Sequence, residues 1–178
     1  MNLPNKLTVL RMILVPVFMV LMMFSGVWQF LGLLVFIIAS VTDWLDGYLA
    51  RRDNLVTTFG KFMDPLADKM LTTAALLILM EKGFISSWVP LIVLGREFLV
   101  AGVRLAAVGE GKVIAASMWG KAKTVSQMIA IIASIILINI PNFDAFIIVN
   151  ILIWISTVLT LISGADYLIQ NKDFIKTK

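Results

Sequence analysis

Long apolar runs separated by short polar breaks constrain this 178-residue chain more than any other feature of its sequence. Six runs approach or reach the roughly 20 residues that a helix needs to cross a bilayer. They cover residues 7–24, 28–41, 66–80, 88–108, 122–140 and 143–168. With 60% hydrophobic and 15% charged residues, the chain has too little polar surface for a soluble globular protein. The sequence predicts an all-α polytopic membrane protein, with six transmembrane helices in a single domain of residues 1–178.

The second and third runs are short, and the polar segment 42–65 lies between them. These two runs reach spanning length only if the polar segment extends both helices toward the same face of the membrane. We therefore expect the most polar part of the sequence to be helical at both of its ends.

The basic residues predict the orientation, because cytoplasmic loops carry an excess of lysine and arginine. In a six-span arrangement one side receives both termini and the segments around 42–65 and 104–123, whereas the other side receives Lys82 alone. The basic residues on the first side are Lys6, Arg11, Arg51, Arg52, Lys61, Arg104, Lys112, Lys121, Lys123, Lys172, Lys176 and Lys178. Both termini are predicted to be cytoplasmic in the cell membrane. The formal net charge of +4 is then a signal of topology and gives no reason to expect nucleic-acid binding.

Cysteine and histidine are both absent from the chain. Their absence excludes disulfides, zinc sites built on Cys or His, thiol nucleophiles and histidine acid–base catalysis. Any catalysis must therefore depend on Asp, Glu, Lys, Arg, Ser, Thr or Tyr.

Four aspartates lie where apolar spans meet the predicted cytoplasmic face. Helical spacing puts Asp43 and Asp46 on one face of the second helix, and Asp64 and Asp68 on one face of the third. Carboxylates this close would repel one another, and each is unfavourable near hydrocarbon. A bound divalent cation removes both problems, and ligands that offer only oxygen favour Mg²⁺, Mn²⁺ or Ca²⁺ over zinc. The alternative is a set of solvated acids at helix ends, where an N-terminal aspartate also favours the helix dipole.

Small residues accompany these aspartates on the same helical faces. Gly47 and Ala50 follow Asp46, and Gly60 lies one turn before Asp64, so a ligand could approach the backbone closely. Arg51 adds a planar donor that suits phosphate oxygens.

A second group of charged residues lies in and beyond the fourth run. Arg96 is near the middle of that run, about 12 Å from Arg104 by helical rise, and an arginine at this depth requires a partner or a wet cavity. One reading is an internal salt bridge that holds the helices together, either between Arg96 and Glu97 or between an arginine and an aspartate. The other is a basic pocket for the phosphate of an acceptor substrate. The residues that such a pocket would include are Arg96, Arg104 and Lys121, with Arg11 and Lys123 as weaker candidates.

The aspartates and small residues together form an eight-residue pattern with defined spacing. It reads Asp43-x-x-Asp46-Gly47-x-x-Ala50-Arg51, then eight residues, then Gly60-x-x-x-Asp64-x-x-x-Asp68. This pattern resembles the signature of the CDP-alcohol phosphotransferase family, with no departure at any motif position. Further segments resemble the bacterial phosphatidylglycerophosphate synthases of that family, and these are residues 2–11, 64–69, 95–98 and 120–124.

The resemblance implies a six-helix membrane enzyme that joins a CDP-linked donor to an alcohol and releases CMP at the cytoplasmic face. It implies a site for two Mg²⁺ or Mn²⁺ ions on Asp43, Asp46, Asp64 and Asp68, with Asp68 also acting as general base. Gly47, Ala50, Arg51 and Gly60 would shape the pocket for the cytidine diphosphate. The subfamily resemblance implies CDP-diacylglycerol and glycerol-3-phosphate as substrates, and a homodimer.

Three other functions compete with this reading. A sister enzyme could use inositol phosphate, phosphatidylglycerol or serine as acceptor, although a basic pocket argues against serine. A cation transporter would also use acids, but those of carriers tend to lie near the bilayer midplane at broken helices. A purely structural role would leave the clustered acids unexplained.

Overall fold

The structure is a computed structural model that describes the backbone of residues 3–52, 58–109, 114 and 117–172. Within these ranges it describes the side chains except at 3–4, 44–52, 58–62 and 64–65. This described part is helical and contains no β-strand, as the sequence predicts. The helices are α1 (Leu3–Met23), α2 (Val27–Arg52), α3 (Thr58–Glu81), α4 (Trp88–Gly109), α5 (Met118–Leu137) and α6 (Phe146–Gln170).

The polar segment 42–65 extends the helices on both of its sides, as expected. The apolar run of α2 ends near residue 41, but the helix continues to Arg52. In the same way α3 begins at Thr58, before its apolar run starts at residue 66. The motif residues therefore lie on the polar ends of two helices that are consecutive in the chain.

Turns with left-handed backbone separate three of the helix pairs. Gly26, with φ +67°, lies between α1 and α2, and Gly83, with φ +79°, lies between α3 and α4. Glycine adopts these angles without the steric penalty of a side chain. Asn142, with φ 56°, lies between α5 and α6 just after Pro141, and asparagine is one of the few other residues that tolerate this region.

The helices expose an unusual amount of apolar surface. Three helical segments among the described residues are long and apolar enough to cross a membrane, namely Asn5–Met23, Met118–Leu137 and Phe146–Gln170. No more than a third of each best window is buried within the structure. Exposed apolar area on this scale is incompatible with water and suits contact with lipid. The chain is a membrane protein. Helix α4 differs from these three because Arg96, Glu97 and Arg104 interrupt its apolar sequence.

The described residues fall into two compact units. The N-terminal unit is drawn from Met1–Lys82 and Ile135–Asp144, and the C-terminal unit from Gly83–Ser134 and Ala145–Lys178. The prediction of one domain over residues 1–178 stays a prediction.

In the N-terminal unit, α1 packs against both α2 and α3. The rings of Phe18 and Phe36 are fully buried, with their centroids 5.5 Å apart. Further along this contact α1 and α2 approach closely, because a Cβ added at Gly32 would lie 2.9 Å from the sulfur of Met22. The apolar part of this unit is therefore tightly packed, and it supports the polar ends of α2 and α3.

In the C-terminal unit, α4 packs against α6. The buried face of α6 is rich in small hydroxyl residues, and these include Ser156, Thr157, Thr160 and Ser163. Three of the four hydroxyls donate to carbonyls of their own helix at 2.8 Å, which satisfies them without a partner from another helix. Small residues of this kind allow membrane helices to pack closely.

Candidate active site

The four motif aspartates lie on two helices of the N-terminal unit. Asp43 and Asp46 are on α2, and Asp64 and Asp68 are on α3. The structure describes the side chains of Asp43 and Asp68 only. The side chains of Asp46 and Asp64 lie outside the described residues, as do those of Ala50 and Arg51 and the surroundings of Gly47 and Gly60.

Asp43 forms an ion pair with an arginine of α1. Its Oδ1 atom lies 2.7 Å from Nη1 of Arg11. The Asp43 side chain is 35% exposed, whereas the Arg11 side chain is completely buried. The Asp43 carboxylate thus contacts a buried guanidinium in the interior of the unit, while about a third of its side chain remains exposed.

Asp68 is half-buried on α3, beside the face that the helix turns toward the core. Its neighbours Ala67 and Leu71 on this helix are buried, with exposed fractions of 0% and 1%. Asp68 therefore lies at the border between the packed interior and the polar end of the unit.

The donor set fits a hard divalent cation. Carboxylate oxygens are the ligands that Mg²⁺ and Mn²⁺ prefer, and the sequence has no cysteine thiolate or histidine imidazole to compete with them. Among the described side chains no group of three acidic residues gathers as a metal site. The metal assignment of Asp43, Asp46, Asp64 and Asp68 stays a prediction.

A charged cluster joins three helices of the C-terminal unit. Arg96 of α4 donates to Glu97 Oε1 at 3.1 Å through Nη1, and to the Ser163 hydroxyl of α6 at 2.7 Å through Nη2. Lys123 of α5 donates to the same Glu97 oxygen at 2.5 Å. The close approach of α6 depends on Gly164, where an added Cβ would lie 3.0 Å from Cγ of Arg96. The internal ion pair between Arg96 and Glu97 is therefore present.

This cluster holds two cationic side chains and one carboxylate. The side chains of Arg96, Glu97 and Lys123 are 11%, 16% and 7% exposed. Nε of Arg96 is buried and finds no hydrogen-bond partner within the described part of the chain. An excess of positive charge at a site largely shielded from water attracts an anion. Arg96 can therefore form the ion pair with Glu97 and also take part in binding a phosphate.

Arg104 lies two turns further along α4 and contacts α6 again. Its Nε donates to the Tyr167 hydroxyl at 3.2 Å, and its guanidinium carbon lies 5.7 Å from the centre of the Tyr167 ring. Lys121, at the start of α5, is exposed and makes no side-chain hydrogen bond to the described residues. The acceptor-phosphate assignment of Arg96, Arg104 and Lys121 stays a prediction.

The two weaker candidates for the acceptor pocket have other partners. Arg11 belongs to the N-terminal unit and pairs with Asp43, while Lys123 pairs with Glu97. Ser163 and Tyr167 on α6, the partners of Arg96 and Arg104, were not among the predicted site residues. A signal for them existed, because buried polar residues one turn apart in a strongly apolar helix usually face another helix.

Comparison with known proteins agrees with the motif. The family model for CDP-alcohol phosphatidyltransferase matches residues 1–162. The CDP-diacylglycerol–glycerol-3-phosphate 3-phosphatidyltransferase of Bacillus subtilis is 43% identical, covering 99% of this chain and 98% of the relative. The enzyme with the same name from Rickettsia bellii is 40% identical, covering 93% of this chain and 93% of the relative. The one from Haemophilus influenzae is 39% identical, covering 94% of this chain and 91% of the relative. The chain belongs to the CDP-alcohol phosphatidyltransferase family.

Proposed function

We propose that the protein transfers the phosphatidyl group of CDP-diacylglycerol to glycerol-3-phosphate and releases CMP. The acceptor hydroxyl attacks the phosphorus that carries the diacylglycerol. A new phosphorus–oxygen bond forms, the bond to the bridging oxygen of the pyrophosphate breaks, and that oxygen leaves with CMP. The observation that carries this proposal is the complete aspartate motif in a chain that matches enzymes of this name over almost its whole length. The product is a membrane phospholipid precursor.

The acidic residues of α2 and α3 take the roles that the motif implies. Asp43, Asp46, Asp64 and Asp68 hold Mg²⁺ or Mn²⁺, in a site for two ions. Bound there, the cations neutralise the pyrophosphate and stabilise the charge that develops on the leaving phosphate. Asp68 also accepts the proton of the acceptor hydroxyl, since the chain has no histidine to serve as base.

The donor nucleotide is bound beside these acids by the small residues of the motif. Gly47, Ala50 and Gly60 leave room for the cytidine diphosphate to approach the helix backbones. Arg51 donates to its phosphate oxygens.

The acceptor phosphate is bound by the basic residues Arg96, Arg104 and Lys121. Within the described residues, Tyr167 holds Nε of Arg104 and no hydrogen bond engages its two terminal nitrogens. A guanidinium with these nitrogens available binds phosphate oxygens in pairs. A phosphorylated acceptor is therefore favoured over serine.

Removal of one of these cations should weaken acceptor binding selectively. We expect Arg104→Ala and Lys121→Ala each to raise the KM for glycerol-3-phosphate about 10-fold or more, because a hydrogen bond to a charged group contributes roughly 1.5–3 kcal/mol. The KM for CDP-diacylglycerol should change little. Lys82→Ala is the matched control, since Lys82 follows the opposite end of α3 from Asp68. A raised donor KM with an unchanged acceptor KM would mean that these residues bind the nucleotide or the lipid instead.

The active site faces the cytoplasm in a six-span chain with both termini cytoplasmic. Among the described residues three segments meet the length and apolarity of a span. Helices α2, α3 and α4 carry the charged residues of the site, which makes them less apolar than those three. The basic residues predicted on one side favour this orientation. The enzyme acts as a homodimer in the cell membrane.

The test of the function is a comparison of acceptors. Purified protein receives CDP-diacylglycerol with Mg²⁺ or Mn²⁺ and one acceptor at a time, and CMP release is measured while the lipid product is identified by mass spectrometry. We expect rapid release with glycerol-3-phosphate and background release with serine, inositol phosphate or phosphatidylglycerol. Faster release with one of the latter would assign the chain to a sister activity of the same family.

A further inference from the structure

The buried face of α1 changes character along the helix. Its apolar part consists of Val15, Phe18 and Met22, with exposed fractions of 4%, 0% and 0%. The same face continues toward the N-terminus with polar residues that are equally buried, and these are Asn5 at 7%, Thr8 at 0% and Arg11 at 0%. The polar and apolar residues of this face together recur at intervals of three or four residues, which is the spacing of one helical face.

Buried polar groups are unfavourable unless they have partners. A completely buried arginine is the strongest case in the described part of the chain, because an isolated buried charge is not tolerated. Arg11 has such a partner in Asp43, whose carboxylate oxygen lies 2.7 Å away. The polar end of α1 is therefore matched to the polar end of α2, within the same unit.

The ion pair with Arg11 does not bury the Asp43 side chain completely. Arg11 holds Oδ1 from the buried side, while the side chain remains 35% exposed. A carboxylate has two oxygens and several lone pairs, so it can pair with a guanidinium and bind a cation at once. Groups that hold a metal-binding carboxylate in this way fix its orientation.

We propose that Arg11 is a positioning residue that orients the Asp43 carboxylate for metal binding, which makes α1 a third structural element of the site beside α2 and α3. This inference rests on the proposed function, because it takes Asp43 as a metal ligand. In this proposal Arg11 does not bind the acceptor phosphate, and its buried charge serves to orient Asp43.

The experiment measures Mn²⁺ binding to the purified full-length protein in detergent, without nucleotide or acceptor. The signal of free Mn²⁺ in electron paramagnetic resonance gives the Kd directly. We expect Arg11→Gln to weaken binding about 10- to 100-fold, which is the usual effect of losing a residue that orients a metal ligand. Arg11→Lys should fall between this variant and the parent, because lysine restores the positive charge without the planar shape of the guanidinium.

Two comparisons separate positioning from general electrostatics. Lys6→Gln removes the same charge from an exposed position of α1, and it should leave the Mn²⁺ Kd unchanged. In a protein that already carries Asp43→Asn, Arg11→Gln should alter the Kd by less than about twofold, because two changes that act through one contact are not additive.

Each outcome decides the inference. Equal or tighter Mn²⁺ binding by Arg11→Gln, beside a parent that binds the ion, overturns the positioning role and leaves the proposed function intact. If Arg11→Gln does not fold, Arg11→Lys decides in its place, and parental affinity in that variant also overturns the role. Absence of Mn²⁺ binding in the parent overturns the metal site of the proposed function and this inference together.

Discussion

Asp68→Asn is expected to lower kcat for CMP release by about 10²–10⁴-fold, the usual contribution of a general base. Asparagine keeps the shape of the side chain but cannot accept the proton of the acceptor hydroxyl. Loss of a metal-binding oxygen at the same position would deepen the defect. Binding of CDP-diacylglycerol should remain within a few-fold of the parent, because the other three aspartates and the small motif residues are unchanged.

The measurement compares kcat with donor binding, the latter by titration calorimetry at saturating Mg²⁺. Glu81→Gln is the matched control, because it neutralises an exposed carboxylate on the same helix, about 20 Å from Asp68 by helical rise. Turnover close to that of the parent in Asp68→Asn would contradict the assignment of the base. A loss of donor binding as large as the loss of turnover would make Asp68 a ligand for the donor complex and not the base.

Removal of divalent metal is expected to abolish turnover completely. Without a cation the carboxylates on α2 and α3 repel one another, and the pyrophosphate of the donor meets negative charge in place of a counter-charge. EDTA should therefore stop CMP release, and excess Mg²⁺ or Mn²⁺ should restore it. Asp43→Asn, Asp46→Asn and Asp64→Asn should each raise the metal concentration required for half-maximal activity and lower the maximal rate.

The control for this prediction is an EDTA solution already saturated with the same ion that the assay contains, which separates chelation from other effects of the reagent. Thermal unfolding measured with and without Mn²⁺ provides a readout independent of activity, because a ligand that binds the folded state stabilises it. Full activity in the presence of a chelator would contradict the metal site. A thermal shift without any effect on turnover would make the metal structural.

Much of the fold could be predicted from the sequence, because the information is local. An apolar run long enough to span hydrocarbon must be helical, since only internal hydrogen bonds satisfy its backbone. The short breaks between the apolar runs include Gly26, Gly83 and the Pro141–Asn142 pair, and the structure has turns at these places. Even the helical extension of α2 to Arg52 followed from a length argument, because a run ending near residue 41 was too short to span alone.

The motif could be predicted equally well, because its residues are close in sequence and their spacing alone puts them on helical faces. Asp43 and Asp46 are one turn apart on one helix, and Asp64 and Asp68 are one turn apart on the next. Family membership followed from this spacing together with similarity over almost the entire chain.

Only the tertiary structure decided which charges are paired. Arg11 and Asp43 are 32 positions apart, and Arg96 and Ser163 are 67 apart, so no local spacing relates them. From the sequence, Arg11 and Lys123 were weaker candidates for the same phosphate pocket as Lys121. The structure pairs both with carboxylates, because a buried cation must find an anion wherever helix packing places one. Helical periodicity determines which residues share a face of one helix, whereas the face that meets another helix is determined by the packing of the whole chain.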